Sequence, residues 1–146
     1  MSQRLFLVRH GRAEAQAQGG DAARRLTPEG RAAFEAHVRA LGASLAVNRV
    51  VTSPVTRARE TAQIIAAVTG ARAVPDAELS AGNLDGRGVL RLAGRLGPGV
   101  ALVGHNPELA DAVSSIAGRR VDLPPGGIAA LDVAGKDLRL AWIRVP

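Results

Sequence analysis

The chain has 146 residues, enough for one domain (1–146) that buries a core without disulfides or a structural metal. Hydrophobic residues make up 47%, mean hydropathy is near zero, and there are no cysteines, which excludes disulfides, thiolate chemistry and Cys-type zinc sites. The net charge of +6 rests on nineteen basic residues, of which only Lys136 is a lysine, and the arginines form no basic block. Phe6, Phe34 and Trp142 are scattered rather than set beside the arginines as stacking platforms, so nucleic acid is not the expected partner. No apolar run approaches the ~20 residues of a membrane span, and residues 1–11 lack the features of a signal peptide. The expected compartment is the cytoplasm, with no membrane partner.

Leu5 to Val8 form a short apolar strand that stops at Arg9-His10-Gly11. The end of a strand is where an open α/β sheet presents polar residues to a ligand. Arg9 can grip an anion in two places, His10 can serve as nucleophile or base, and Gly11 lets the backbone turn sharply beside a ligand. An isolated Arg-His-Gly can equally be a plain strand cap. Residues 12–25 are a polar loop without periodicity. Thr27 is a good N-cap and Pro28 a good first helical residue, and Phe34, Val38, Leu41 and Leu45 then repeat at helical spacing. His37 lies beside that stripe with no chemical partner nearby in sequence, so it reads as a rim residue.

Residues 49–52 are a second strand. Ser53 can cap and Pro54 can open a second helix that Gly70 stops, with Ala58, Ala62 and Ile65 inward. That start puts Arg57 in the first turn, where free N–H groups and the helix dipole favour an anion, although a solvent-facing arginine fits the same position. Residues 71–74 read as a third strand and 84–96 as a helix weakened by Gly86, Gly88 and Gly94. Val100 to Val103 form a fourth strand running into Gly104-His105-Asn106-Pro107, and another helix follows with Leu109, Val113 and Ile116 inward. Residues 120–123 are ambiguous, residues 124–127 a turn, and residues 128–133 and 138–145 a hairpin. The alternation predicts a three-layer α/β/α fold: a mostly parallel central sheet, helices on both faces and a C-terminal hairpin. Three strand ends carry polar chemistry, and such a sheet can bring them to one edge.

Arg9-His10-Gly11, Ser53-Pro54-x-x-Arg57-Ala58-x-x-Thr61-Ala62 and Gly104-His105-Asn106-Pro107 resemble, in their usual order, the motifs of the histidine phosphatase (phosphoglycerate mutase-like) superfamily. The short chain, Arg24-x-Leu26-Thr27-x-x-Gly30 and His-Asn-Pro are most similar to its SixA-type phosphohistidine phosphatases. The resemblance implies that His10 is a nucleophile accepting the phosphoryl group, while Arg9, Arg57 and His105 surround the phosphate, His105 adding a third positive group if protonated. Guanidinium forks suit the charge spread over three transferring oxygens, and no metal or other cofactor is then needed. Arg24 matches a further phosphate-side arginine, although a solvated surface residue fits as well. Glu78 falls where superfamily members place an acidic proton donor, a residue that SixA-type members often lack. Gly126 and Gly127 can bring backbone N–H groups to the phosphate or simply form a turn.

The substrate implied is phosphohistidine in a protein, since the chain is too short for the insertions that cover the site in relatives handling small phosphates. A phosphatase of small phosphomonoesters is the first rival. A phosphate-binding module without turnover is the second, disfavoured because His10, Arg9, Arg57 and His105 are all present. A mutase would call for a closed pocket that excludes water.

Overall fold

The computed structural model describes residues 3–146. Its central element is β1 (Arg4–Arg9), whose four apolar residues are fully buried and alternate between two cores. Leu5 and Leu7 face one hydrophobic cluster, and Phe6 and Val8 face the other. A strand buried on both faces needs a neighbour on each edge and a layer of helices above and below. β1 has them.

The sheet contains β2 (Arg49–Thr52), β3 (Arg72–Pro75), β4 (Val100–Gly104), β5 (Ile128–Ala134) and β6 (Asp137–Arg144), in the order β3-β2-β4-β1-β5-β6. The first four strands in that order are parallel, whereas β5 runs antiparallel to β1 and β6 antiparallel to β5. On one face α1 (Pro28–Leu41) and α2 (Thr56–Thr69) bury Phe34, Val38, Ala58, Ala62 and Ile65 against Phe6, Val8, Val50 and Val103. On the other, α3 (Gly86–Leu96) and α4 (Glu108–Ala117) bury Val89, Leu92, Leu109 and Val113 against Leu5, Leu7, Val51 and Leu102. This is the three-layer α/β/α arrangement expected from the alternation of elements. No helix among the described residues is long and apolar enough to cross a membrane.

Several boundaries follow the expected chemistry. Thr27 caps α1 by accepting a hydrogen bond from the Gly30 N–H at 2.9 Å, with Pro28 at the first helical position, a cap worth about 1 kcal/mol. α1 nevertheless stops at Leu41, because Gly42 takes a φ of +50°; Leu45 stays buried from the chain beyond the helix. The three glycines do not prevent α3. Asp85 caps it through the Gly88 N–H, and a Cβ at Gly86 would stand 3.0 to 3.1 Å from Asp111 and Ala112 at the start of α4. Close packing of two helices decides that position against propensity.

The start of α2 differs from expectation. The helix begins at Thr56 with Val55 as N-cap, so Ser53 does not cap it and Pro54 does not open it. Instead the Ser53 N–H donates to the Val103 carbonyl at 2.9 Å, which carries the pairing of β2 with β4 one residue further. Gly70 ends α2 in the left-handed conformation as expected. Residues 120–123 take up no regular structure, although Leu123 is buried. The hairpin turn is tighter than expected, with Gly135 and Lys136 alone between β5 and β6.

Candidate active site

The register of the parallel strands fixes the site. Val8 pairs with Val103 and Thr52 with the same Val103, so Arg9, Gly104 and Ser53 stand at the next level along three adjacent strands. Backbone pairing persists one step past the strands: the His10 N–H donates to the Gly104 carbonyl at 3.1 Å. Three motifs separated by almost a hundred residues thus meet at the carboxyl edge of the sheet, where open α/β sheets bind ligands. The ring centroids of His10 and His105 lie 5.2 Å apart.

The Nδ1 of His10 lies 2.8 Å from the carbonyl oxygen of Gly11. A carbonyl only accepts, so Nδ1 carries the proton and the neutral ring keeps its lone pair on Nε2. Burial pushes the His10 pKa down to about 4, with smaller contributions from His105, Arg57 and Arg9; the Gly11 bond acts in the opposite direction. At neutral pH His10 is therefore an uncharged imidazole whose lone pair sits on Nε2. Gly11 does not serve a left-handed turn, since its φ is not positive, and a Cβ there would stand 3.3 Å from the Leu26 side chain. Its N–H is given to the Thr61 hydroxyl at 3.0 Å. Thr61 in turn donates to the Arg57 carbonyl, which ties the His10 turn to the first turn of α2.

Two guanidinium groups flank the rings. Arg9 donates through Nη1 to the Leu123 carbonyl at 3.2 Å. Arg57, only 5% exposed, donates through Nη1 to the Asp21 carbonyl and through Nη2 to the Asp21 carboxylate. The Nε of Arg9 and the Nε of Arg57 are both buried, and neither has a hydrogen-bond partner among the described residues. Buried donors of this kind are costly unless an acceptor is brought to them.

His105 is buried, and its Nε2 lies 2.8 Å from the Ser53 hydroxyl. Burial lowers its pKa and Arg57 adds to that, against weaker opposing effects of Glu108 and Asp21. The protonated His105 considered from the sequence is thus disfavoured, because an extra positive charge would sit desolvated beside two arginines.

The remaining expected site residues stand further back. Arg24 donates to the Glu14 carbonyl and the Asp21 carboxylate, so it reaches Arg57 only through Asp21. The Gly127 N–H donates to the Pro124 carbonyl at 2.8 Å, and that of Gly126 to the Arg9 and His10 carbonyls. Both are consumed in the turn that backs the end of β1, and neither is free for a ligand. Glu78 lines the crevice beside His105 but is exposed, with its carboxylate on Arg95 at 2.9 Å. His37 is half-buried, with its ring 6.2 Å from that of Phe34.

Four contributors were not expected as site residues: Asp21, Ser53 as the partner of His105, Thr61 as the partner of Gly11, and Glu60. Glu60 is buried in α2 and accepts from the Leu26 N–H, Arg25 and Arg31, which fastens the end of the 12–27 loop to the site. Ser53 and Thr61 lie inside the second motif. Asp21 had only its place three residues before Arg24 as a signal, inside a loop with no pattern.

Residues 5–95 match the model of the histidine phosphatase superfamily (branch 1), and the chain belongs to that superfamily. Among solved structures it is similar to a protein assigned as the phosphohistidine phosphatase SixA from Agrobacterium tumefaciens, with a TM-score of 0.84, 26% identity, and 100% of this chain and 99% of that chain covered. It is similar to the protein histidine phosphatase SixA complexed with tungstate, with a TM-score of 0.80, 21% identity, and 96% and 95% covered. A further protein assigned as SixA, from Nakamurella multipartitia, gives a TM-score of 0.78, 24% identity, and 100% and 97% covered. No curated protein gives a match. Family and neighbours together support a phosphatase.

Proposed function

We propose that the protein is a metal-independent phosphatase that removes the phosphoryl group from phosphohistidine in a protein, by way of a phosphorylated His10. The observation that carries this reading is the pinned Nδ1 of His10, which leaves the lone pair on Nε2 of a ring that feels the charges of Arg57 and Arg9. In the first step the Nε2 lone pair forms a bond to phosphorus while the P–N bond of the substrate breaks. The electron pair stays on the departing imidazole, whose ring has taken a proton. In the second step water attacks phosphorus, the bond to Nε2 breaks, and phosphate leaves with His10 neutral again. Arg9, Arg57 and His105 bind the phosphoryl oxygens, and positioning with charge stabilisation does most of the work in such a transfer.

Two features favour a macromolecular substrate. The chain matches the A. tumefaciens protein assigned as a phosphohistidine phosphatase over nearly all of both lengths. A groove of about 440 Å³ is lined by Gly11, the residue after His10, and by Phe34, Pro125 and Val145. Val145 is 52% exposed and is the one large exposed hydrophobic residue among the described residues. Such a groove suits the flank of a protein carrying phosphohistidine.

The deciding experiment compares phosphate release from a phosphohistidine protein with release from a panel of small phosphomonoesters, both in the presence of EDTA. Faster turnover of the protein substrate is expected, with an acid-labile, base-stable label on the His10 peptide after rapid quench. A preference for a sugar phosphate promotes the small-metabolite reading. A label on His105, or loss of activity restored by a divalent ion, overturns the mechanism.

A further inference from the structure

We propose that Ser53 is a positioning residue: its hydroxyl donates to Nε2 of His105 and so keeps the neutral ring protonated on Nδ1, making His105 an uncharged hydrogen-bond donor to a phosphoryl oxygen. The catalytic part of this inference rests on the phosphatase reading; the assignment of the proton does not.

The direction of the 2.8 Å bond between Ser53 Oγ and His105 Nε2 follows from satisfaction of buried groups. Ser53 has no exposed surface, and among the described residues its Oγ has His105 as its one hydrogen-bond partner. If Nε2–H donated to Oγ, the serine proton would be left buried without an acceptor, at a cost of ~1–3 kcal/mol. If Oγ–H donates to Nε2, both groups are satisfied. A neutral imidazole whose Nε2 accepts must carry its proton on Nδ1, and His105 Nδ1 has no partner among the described residues.

The charges around the ring fit an uncharged donor. Arg57 from α2 and Arg9 from β1 oppose a proton on His105, whereas Glu108 from α4 and Asp21 from the 12–27 loop favour one more weakly. His10 faces it from the end of β1, and Glu78 lines a crevice together with it. A cation at His105 would also depress the basicity of His10, the nucleophile. A neutral N–H stabilises charge on the transferring oxygens without that cost. Ser53 thus has this role in place of the helix cap that its sequence position suggests.

The test uses ring nitrogen NMR on the intact protein at pH 7, where three histidines make assignment tractable, with and without inorganic phosphate. The expected result for His105 is a protonated Nδ1 and an unprotonated Nε2 in both conditions, with the Nδ1–H signal moving when phosphate is added. The opposite tautomer, an imidazolium, or an Nδ1–H indifferent to phosphate overturns the inference, whether or not the protein turns over phosphohistidine. Absence of turnover with the tautomer as expected overturns the functional reading instead, and with it the catalytic half of the inference. In kinetics, Ser53→Ala should lose about 10- to 100-fold in kcat at pH 7 with KM changed less than about threefold, as for loss of one oriented donor. Its remaining activity should rise as pH falls from 7, because only the imidazolium then donates reliably from Nδ1. Ser53→Thr, which keeps the hydroxyl, should restore the flat profile. A flat profile for Ser53→Ala, with the variant shown folded by its melting transition, overturns the positioning role.

Discussion

The candidate site is built in two halves by different means. His10, Arg9, Ser53 and His105 stand at the ends of β1, β2 and β4, where ladder hydrogen bonds such as His10 N–H to Gly104 and Ser53 N–H to Val103 fix the backbone on which they are carried. Asp21 and Arg24 stand on the 12–27 loop, where only a short 3-10 turn over Asp21–Ala23 and a single bridge between Ala13 and Leu26 give regular pairing. That loop is held instead by side chains, chiefly the buried carboxylate of Glu60. Arg57 joins the halves, since it belongs to α2 but spends two of its nitrogens on Asp21. The difference shows where precision comes from. The His10 ring is placed by main-chain geometry, whereas the Arg57 guanidinium is held by the loop through Asp21.

The sharpest separation of the halves comes from His10→Ala. If the strand-end half carries the chemistry, turnover should fall by about 10⁴-fold or more, as when a nucleophile is deleted from a catalytic unit. The variant should still fold and bind inorganic phosphate through the arginines. Residual turnover within tenfold of wild type would move the nucleophile elsewhere.

Arg57→Lys tests the joint between the halves. The charge is kept, but a lysine has no fork with which to hold Asp21 and still offer an N–H to phosphate. The expected loss is on the order of 10²-fold in kcat/KM, as for one preorganised donor. Near-normal kinetics would mean that Arg57 contributes charge alone.

Glu60→Ala releases the loop half only. Leu26 N–H, Arg25 and Arg31 lose their shared acceptor, and the protein should be destabilised by ~1–3 kcal/mol, read as a lowered denaturation midpoint. Activity measured well below that transition should drop by about tenfold, since Asp21 no longer holds Arg57 in place. Unchanged activity in a destabilised protein would show that the loop serves the fold and not the site.

The pH profile addresses the strand-end half again, without a substitution. With the His10 pKa near 4, the neutral nucleophile is the main form at pH 5, and the acid limb of kcat/KM should have its midpoint near 4. An unperturbed histidine would be almost fully protonated at pH 4.5 and would place the limb near 6.5. Neutral ring is gained as pH rises through the pKa, so activity rises with pH across the limb and levels above it. A midpoint near 6.5 would mean that the ring is more solvated than its surroundings indicate.

The two halves also differ in how far the sequence revealed them. Leu5 to Val8 before Arg9-His10, and Val100 to Val103 before Gly104-His105, are apolar runs ending in polar residues, and strand periodicity makes such ends visible without a structure. The layering of helices follows from Phe34 and Val38 in α1 and Leu109 and Val113 in α4 in the same way. Ser53 was visible but misplaced: a Ser-Pro pair is a strong helix-start signal, and only the register of β2 on β4 shows that its hydroxyl belongs to His105. Asp21 and Glu60 were not visible as site residues. Their roles depend on long-range ion pairs, Asp21 with Arg57 and Glu60 with Arg25 and Arg31, and no local period encodes those. Gly126 and Gly127 belong to the same class, because whether an N–H is free depends on which distant carbonyl has taken it.

The smallest expected effect belongs to Glu78, the one acidic residue that the sequence offered to the strand-end half. Its carboxylate is about half exposed and paired with Arg95, itself largely exposed, and a surface pair of this kind contributes ~0–1 kcal/mol. Glu78→Gln should therefore leave stability almost unchanged. A phosphohistidine substrate expels an imidazole, which departs readily once its ring is protonated, so an acid on the enzyme matters little; turnover of phosphohistidine should change by less than about threefold. An alkyl phosphate expels an alkoxide and depends on a proton donor, so if Glu78 swings from Arg95 into the crevice beside His105, only that reaction should slow in the variant. Equal and large losses on both substrates would make Glu78 part of the phosphoryl-binding wall, erase the difference between leaving groups, and remove the chemical reason for preferring phosphohistidine.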